Sequence, residues 1–156
     1  MARIQMSDFA GAVFSTNLVC PPALHPGAHT DNVQLLQLAS LARAQFFAAM
    51  GYRESDVLGV RVFVADQAVQ YLAEAFPDQS VTIEMALGEC AAKGFDLIYR
   101  MVDSSAGQLM VLGKIGVVCV DCSTRKPCTV PAALYAQLRA LPLCEGTEVQ
   151  REAALV

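Results

Sequence analysis

The chain has 156 residues, of which 54% are hydrophobic and 17% charged, and its formal net charge is −4. This length predicts a single domain, and an acidic balance without a basic run argues against general nucleic-acid binding. A chain with this much apolar surface has more than one small domain can bury. We therefore expect a homo-oligomer, in which a second copy covers the remainder. The sequence contains no uncharged apolar run of about 18 residues and no signal-peptide pattern, so we expect a cytoplasmic protein without a membrane span.

Residues 9–20 are rich in β-formers and predict a first strand. Residues 33–50 predict a long helix, which Asp31 or Thr30 can cap and which Gly51 ends. Apolar side chains cover more than one stripe of this helix. We therefore expect it to be enclosed by the rest of the fold rather than laid on a surface.

The remaining chain predicts mainly strands, over residues 57–64 with 68–73, 80–90, 94–102 and 109–120. The first of these segments is expected to be one long strand with a break near Asp66. Turns are predicted at 76–79, 103–107 and 123–127, and a short helix at 131–141. The order is a strand, a long helix and an antiparallel meander of about four strands. A sheet curled around the helix would bury both in one core, leaving an edge strand that needs a partner.

A compact polar segment, residues 25–32, precedes the long helix. It contains the only two histidines, His25 and His29, together with Asp31 and Asn32. The first N–H groups of a helix lack partners within it and attract a carbonyl oxygen or an anion. Imidazole titrates near neutral pH and can act as a base. This segment is therefore the first place to look for catalysis.

The six cysteines favour reduced thiols over a metal site. Cys119 and Cys122 have the spacing of a metal or redox motif, and Cys128 follows. However, positions 119 and 122 of a strand point to opposite faces, and no fourth ligand has matching spacing. We therefore expect no metal, and free thiols are the usual state in the cytoplasm.

Residues 28–32 read Ala-His-Thr-Asp-Asn, and Arg43 follows in the helix. Further residues that belong to the same pattern, in chain order, are Tyr71, Asp78, Cys119-Val-Asp121, Arg125-Lys126 and Pro131. Over roughly residues 10–140 the chain resembles the hotdog-fold acyl-CoA thioesterases of the 4-hydroxybenzoyl-CoA thioesterase-like superfamily, whose members often carry Gly-His-Val-Asn-Asn and a helix Arg. The resemblance implies an α+β hotdog fold, a curved antiparallel sheet of five to six strands wrapped around a long central helix. We expect one domain over residues 1–145 and a polar C-terminal tail over 146–156.

The chain departs from this family at the position of its usual carboxylate. Many relatives place an Asp four residues before the motif His, where this chain has His25. Plant acyl-carrier-protein thioesterases also have an Asn two residues before that His and a Glu in the helix, where this chain has Gly27 and Leu41. Asp31 stands where an Asn is usual. The carboxylate of the loop is thus displaced by six positions.

The resemblance implies four catalytic candidates. Asp31 would orient or deprotonate water, or attack directly; His29 or His25 would act as the base; Asn32 would hold the carbonyl or the water. Asp31 also suits a plain helix cap, and His25 a solvated loop residue. Arg43 is expected to be a structural charge, satisfied by the sheet or by a second subunit.

Substrate contacts are expected from Gln37, Ser40, Lys93, Gly94 and Phe95. Coenzyme A is strongly anionic, and the candidate phosphate contacts are Lys93, Arg61, Arg125 and Lys126, each of which also suits a solvent-exposed charge.

The expected function is hydrolysis of an acyl-CoA or acyl-carrier-protein thioester to a free acid and a thiol. No cofactor is expected beyond the coenzyme A of the substrate. We expect a homodimer or homotetramer with the site between subunits, so that the 25–32 loop of one chain faces residues 93–95 of another. Two alternatives remain: a non-catalytic acyl-thioester-binding protein, which His25 favours, and a hotdog dehydratase or hydratase.

Overall fold

The fold consists of one five-stranded antiparallel sheet and two helices, and the computed structural model describes residue 9 and residues 11–140. In chain order the elements are β1 (Phe14–Val19), α1 (Asn32–Ala49), β2 (Val60–Tyr71), β3 (Ser80–Ala91), β4 (Gly94–Asp103), β5 (Leu109–Asp121) and α2 (Ala132–Ala140). The type and order of every predicted element are confirmed, although β1 and β2 begin later than expected. The predicted tail 146–156 and the last residue of the predicted short helix lie outside the described residues.

The strands are ordered β1-β3-β4-β5-β2, so β2 lies beside β5 at one edge of the sheet. The predicted meander of four strands is wrong in this respect, because only β3, β4 and β5 form one. The connection after β2 crosses the end of the sheet. It begins with Leu72 N–H donating to the carbonyl of Met110 and ends with Asp78 N–H donating to the carbonyl of Cys20, beyond β1.

A β-bulge interrupts β2 between Val64 and Asp66, where the pairing with β5 shifts by one residue. This confirms the predicted break. Before the bulge Val64 stands opposite Val117, and after it Tyr71 stands opposite Val111. Opposed residues of paired strands share a face, so both halves of β2 present side chains to the same face of the sheet.

Helix α1 lies against that face and fills the core with one side. Its buried residues are Gln34, Leu35, Leu38, Ala39, Ala42, Phe46 and Phe47. The Phe46 ring packs edge-on against Phe14 of β1, with 5.9 Å between ring centroids, and Phe47 lies 6.4 Å from the ring of Phe95 on β4. The helix ends at Ala49 with Met50 as its C-cap, and Gly51 follows with a positive φ of 90° that suits glycine.

The opposite side of α1 is open, so the prediction of an enclosed helix is wrong for a single chain. Val33 and Leu41 are 54% and 53% exposed, and Gln37, Ala44 and Ala48 are exposed on the same face. One five-stranded sheet can cover only one side of a helix. The apolar residues on the other side therefore remain available to a second copy of the chain.

Arg43 is a structural charge, as expected, but its partner differs from the one expected. The mostly buried guanidinium pairs with Glu54, in the segment between α1 and β2, and not with the sheet. The ion pair holds the end of α1 to the chain that leads into β2. None of the helices in the described part of the chain is both long and apolar enough to traverse a bilayer.

Candidate active site

A pocket of about 320 Å³ opens where the start of α1 meets the end of β2. We call it the α1 pocket. It is lined by His29, Thr30, Asn32, Leu35 and residues 71–75. The structure thus places two of the predicted catalytic residues, His29 and Asn32, in one pocket. Its other wall, residues 71–75, was not part of the predicted site apart from the family match at Tyr71.

Backbone hydrogen bonds hold the two walls together. The buried Thr30 donates its N–H to the carbonyl of Ala75 over 2.7 Å. This bond joins residues 25–32, which we call the histidine loop, to the chain after β2. On the other side, Leu72 and Ala73 both donate to the carbonyl of Met110, over 2.8 and 3.3 Å. Because these bonds involve main-chain atoms, the side chains of both walls remain free to face the pocket.

The chain beyond this wall is anchored to the turn between β4 and β5. Phe76 N–H donates to the Gln79 side chain over 2.9 Å, and the Gln79 amide donates to the carboxylate of Asp103. Hydrogen bonds from Ser105, Ala106 and Gln79 hold the pKa of Asp103 well below its usual range. The Asp103 carboxylate is therefore charged at neutral pH and fixes the end of the pocket wall.

Asp31 does not line the α1 pocket, because its carboxylate caps the helix. It accepts from Val33 N–H over 2.8 Å and from the N–H of Gln34, while the Gln34 side chain accepts from Asp31 N–H over 2.9 Å. This reciprocal pattern is a capping box. Two of the first three N–H groups of α1 are thus already engaged. Within residues 11–140, only the N–H of Asn32 remains of the oxyanion donors expected at the helix start.

Three further predicted site residues also lie outside this pocket. His25 is exposed in the loop, and its carbonyl accepts from Ala28 N–H over 3.2 Å. Gln37 is on the exposed face of α1, and the half-buried Ser40 lies a turn further along. Neither helix residue is among those that line the α1 pocket.

Residues 93–95 lie at the far end of α1, in the β3–β4 hairpin. Tyr135 of α2 donates to the carbonyl of Gly94, and Gln137 of the same helix donates to the carbonyl of Met50, at the end of α1. An 18-residue helix is about 27 Å long, so the hairpin and the histidine loop do not meet within one chain.

Packing accounts for most of what residues 93–95 do in the chain. Gly94 is buried, and a Cβ there would overlap the carbonyl oxygen of Val117, so the close approach of β4 to β5 requires glycine. Phe95 is buried in the core, and Lys93 is exposed while its carbonyl accepts from Cys119 N–H. Only the Lys93 side chain is open to a ligand.

A second pocket, of about 390 Å³, lies at the start of β2 and the end of β5. Its lining residues are Arg61, Phe63, Val120, Asp121, Cys122 and Arg125, and we call it the arginine pocket. Arg61 and Arg125, two of the predicted phosphate contacts, are both exposed and meet here, whereas Lys93 and Lys126 are not part of the lining. Hydrogen bonds, chiefly from Thr124 and Ser123, lower the pKa of Asp121 to about 2.

The cysteines within the described residues are free, and those residues contain no group of three or more His, Cys, Asp or Glu arranged for a metal ion. Cys119 is buried on β5, whereas Cys122 is exposed in the turn just after the strand, so the two thiols are not placed by opposite faces of one strand as predicted. Burial raises the pKa of Cys119 to about 11, and the nearby Cys128 makes a smaller contribution in the same direction. This thiol is therefore a poor nucleophile and a core residue.

The sequence profile of the Thioesterase-like superfamily matches residues 19–138, well over half of the chain. The chain belongs to this superfamily. The match begins just before the histidine loop and ends in α2, so it includes both walls of the α1 pocket. No curated protein sequence matches this superfamily member.

Solved structures confirm the predicted hotdog fold. A 1,4-dihydroxy-2-naphthoyl-CoA thioesterase from Synechocystis has a TM-score of 0.69 at 13% identity, with 80% of this chain and 96% of that one covered. A putative thioesterase from Pseudomonas aeruginosa gives 0.70 at 17% identity, with 81% and 98% covered. A Staphylococcus aureus hypothetical protein in complex with CoA gives 0.74 at 15% identity, with 92% and 94% covered. At such identities the likeness shows the fold, and the chemistry must be argued from the site.

Glu74 is the pocket residue that the sequence analysis missed. It lies three residues after Tyr71, just beyond the end of β2, and shares the α1 pocket with His29 and Asn32. The available signal was an acidic residue directly after a strand, in a segment otherwise apolar. Nothing local in the sequence indicated that this segment returns beneath the start of α1.

Proposed function

We propose that this superfamily member hydrolyses an acyl-CoA thioester to a free acid and a thiol. The observation that carries the proposal is the joint presence of His29 and Asn32 in a pocket at the start of the central helix. Leu35, Leu72 and Ala73 give the same pocket an apolar lining. A pocket with a few polar groups among apolar ones suits an acyl group whose carbonyl must be held in a fixed place.

In the proposed reaction, the oxygen of a water molecule bonds to the thioester carbonyl carbon and the C–S bond then breaks. Asn32 supplies donors to the developing oxyanion, from its side-chain amide and from its free backbone N–H. The leaving thiolate takes a proton, for which the imidazolium form of His29 is the donor. The attacking water must give a proton to a base in the same pocket.

Coenzyme A is the proposed thiol, and no cofactor or metal is proposed beyond it. The Staphylococcus aureus structural relative was determined in complex with CoA. In this chain the guanidinium groups of Arg61 and Arg125 share the arginine pocket and can bind phosphate oxygens in pairs. We also propose a cytoplasmic location, in keeping with the free thiols of the described residues.

We further propose a homodimer or homotetramer with the site between subunits. Strand β2 is a long edge strand, so two copies can extend the sheet by pairing β2 antiparallel with itself. Pairing about the middle of β2 sets the Arg61 end of one copy against the Tyr71 end of the other. The arginine pocket of one subunit would then adjoin the α1 pocket of its neighbour, in place of the expected contact through residues 93–95.

The second candidate is an acyl-thioester-binding protein without catalysis. The capping role of Asp31 favours it, because the only carboxylate of the histidine loop is engaged with the helix and lies outside the pocket. This candidate predicts tight binding of acyl-CoA without release of thiol.

A thiol-release assay with acyl-CoAs of increasing chain length tests the proposal. We expect turnover by the wild type and a loss of about 10²–10⁴-fold in His29→Ala, the usual contribution of a proton-transferring side chain. Ser55→Ala, an exposed residue beyond the other end of α1, is the control and should keep the wild-type rate. Binding measured by calorimetry without turnover would favour the second candidate, and neither binding nor turnover would contradict both.

A further inference from the structure

We propose that Glu74 is the catalytic carboxylate of this site and accepts the proton of the attacking water. The inference rests on the proposed thioesterase function and assigns the base that this function requires. It concerns a residue on the chain after β2, far in sequence from the histidine loop, where the family resemblance placed its candidates.

Glu74 is the one carboxylate among the residues that line the α1 pocket. It shares that pocket with His29 and Asn32, the proposed proton donor and oxyanion holder. Asp31 is absent from the lining, and its oxygens already accept hydrogen bonds from the first turn of α1. A carboxylate engaged in this way would have to break the cap before it could receive a proton.

The backbone on both sides of Glu74 is fixed. On one side, Ala73 N–H donates to the carbonyl of Met110 over 3.3 Å; on the other, the carbonyl of Ala75 accepts from Thr30 N–H over 2.7 Å. Thr30 directly follows His29 in the chain. The acid is therefore attached one residue away from a bond that joins its wall to the histidine loop, which is the fixed placement that a catalytic group needs.

The Glu74 side chain is exposed, and no donor or cation within the described residues pairs with it. The titratable groups that share its pocket are His29 on the helix-start loop and Tyr71 at the end of β2. No Lys or Arg is among the residues that line this pocket. The carboxylate is thus free to receive a proton from water at the mouth of the pocket.

One lone pair of the water oxygen bonds to the thioester carbon while a water proton passes to Glu74, giving a tetrahedral oxyanion held by Asn32. The oxyanion collapses, the C–S bond breaks, and the thiolate takes a proton from the imidazolium form of His29, which becomes neutral. Glu74 then returns its proton to the solvent, and His29 regains one.

The decisive variant is Glu74→Gln, which keeps the size of the side chain and removes its charge. Glu89→Gln is the matched control, because Glu89 is an exposed glutamate on β3 outside both pockets. We expect kcat/KM of Glu74→Gln to fall by about 10²–10⁴-fold, mostly in kcat. Glu89→Gln should keep the wild-type value. Since the Glu74 side chain is exposed and unpaired within the described residues, both variants should have the Tm of the wild type.

The pH profile supplies a readout that a merely structural role would not move. In the wild type, kcat/KM should rise with pH on the acidic side of the profile, because a carboxylate base works only after it has lost its proton. This rise should be absent from Glu74→Gln and retained, at a lower rate, by Glu74→Asp. A single turnover in ¹⁸O-water should place the label in the acid product alone; label in Glu74 would mean direct attack by the carboxylate and would overturn the proton-acceptor role.

The remaining outcomes separate this inference from the proposed function. Turnover by the wild type together with a nearly unchanged Glu74→Gln rate would refute the role of Glu74 and leave the thioesterase standing. A wild type that releases thiol from none of the acyl-CoAs would remove both proposals at once.

Discussion

The sequence suggested two roles for Asp31, a helix cap and a catalytic carboxylate. The structure assigns the cap to Asp31, and we propose Glu74 for the chemistry. Asp31 caps α1 in a capping box, a local pattern that can be read from neighbouring residues. Glu74 reaches the pocket only because the chain after β2 hydrogen-bonds to the histidine loop. The cap was therefore predictable from the sequence, whereas the pocket carboxylate was not, because its place depends on a contact between segments far apart in the chain.

The cap can be tested separately from the chemistry. Asp31→Ala should lower the free energy of unfolding by about 1 kcal/mol, because two N–H groups of α1 lose their acceptor. Asp31→Ser retains a capping oxygen and should restore most of this loss. Urea unfolding gives the stability, and the thiol-release assay gives the activity. Wild-type stability without turnover in Asp31→Ser would instead assign a catalytic role to Asp31.

Among the elements, β2 is the least protected in a single chain. Phe63 and Val64 are 47% and 40% exposed, on a strand of 12 residues at the edge of the sheet. The other edge, β1, has only 6 residues. Hydropathy patterns predicted the bounds of α1 to within one residue, but placed the start of β2 three residues too early. They could not predict which side of either element is exposed in a single chain. An apolar residue has the same hydropathy whether its own chain or a second copy covers it.

Charge placed on this edge should separate the subunits. Val64→Lys introduces like charges across the proposed β2–β2 contact, so we expect it to shift the protein to a monomer. Val19→Lys makes the same change on an exposed residue of β1 and should leave the assembly intact. Light scattering after size exclusion measures both masses. A monomeric wild type, or dissociation by the β1 variant alone, would contradict pairing through β2.

For the whole molecule, the two pockets lie at opposite ends of β2, one with the histidine loop and one with Arg61 and Arg125. A ligand with an acyl end and a polyanionic end needs both kinds of surface. The family and the fold could be predicted from motifs spread along the chain. The assembly that would join the pockets depends on a second chain and leaves no motif of its own.

Subunit mixing tests whether the pockets act together. His29→Ala and the double variant Arg61→Ala/Arg125→Ala should each be nearly inactive as homodimers. If each site takes one pocket from each subunit, an equal mixture refolded together should regain about one quarter of the wild-type activity, since half of the dimers are mixed and each has one intact site. Activity equal to the average of the two parents would mean that each site takes both pockets from the same chain.

The bulge in β2 also bears on how the length of this strand can change during evolution. Val64 and Tyr71 reach the same face of the sheet because the bulge takes up the one additional residue between the two halves of the strand. Deleting that residue, Ala65, would make the pairs Val64–Val117 and Asp66–Gly116 consecutive and leave Tyr71 opposite Val111, on the face that carries α1. The strand can therefore lose one residue at the bulge without exchanging its inner and outer side chains. The lining that β2 gives to the α1 pocket would survive this change in length.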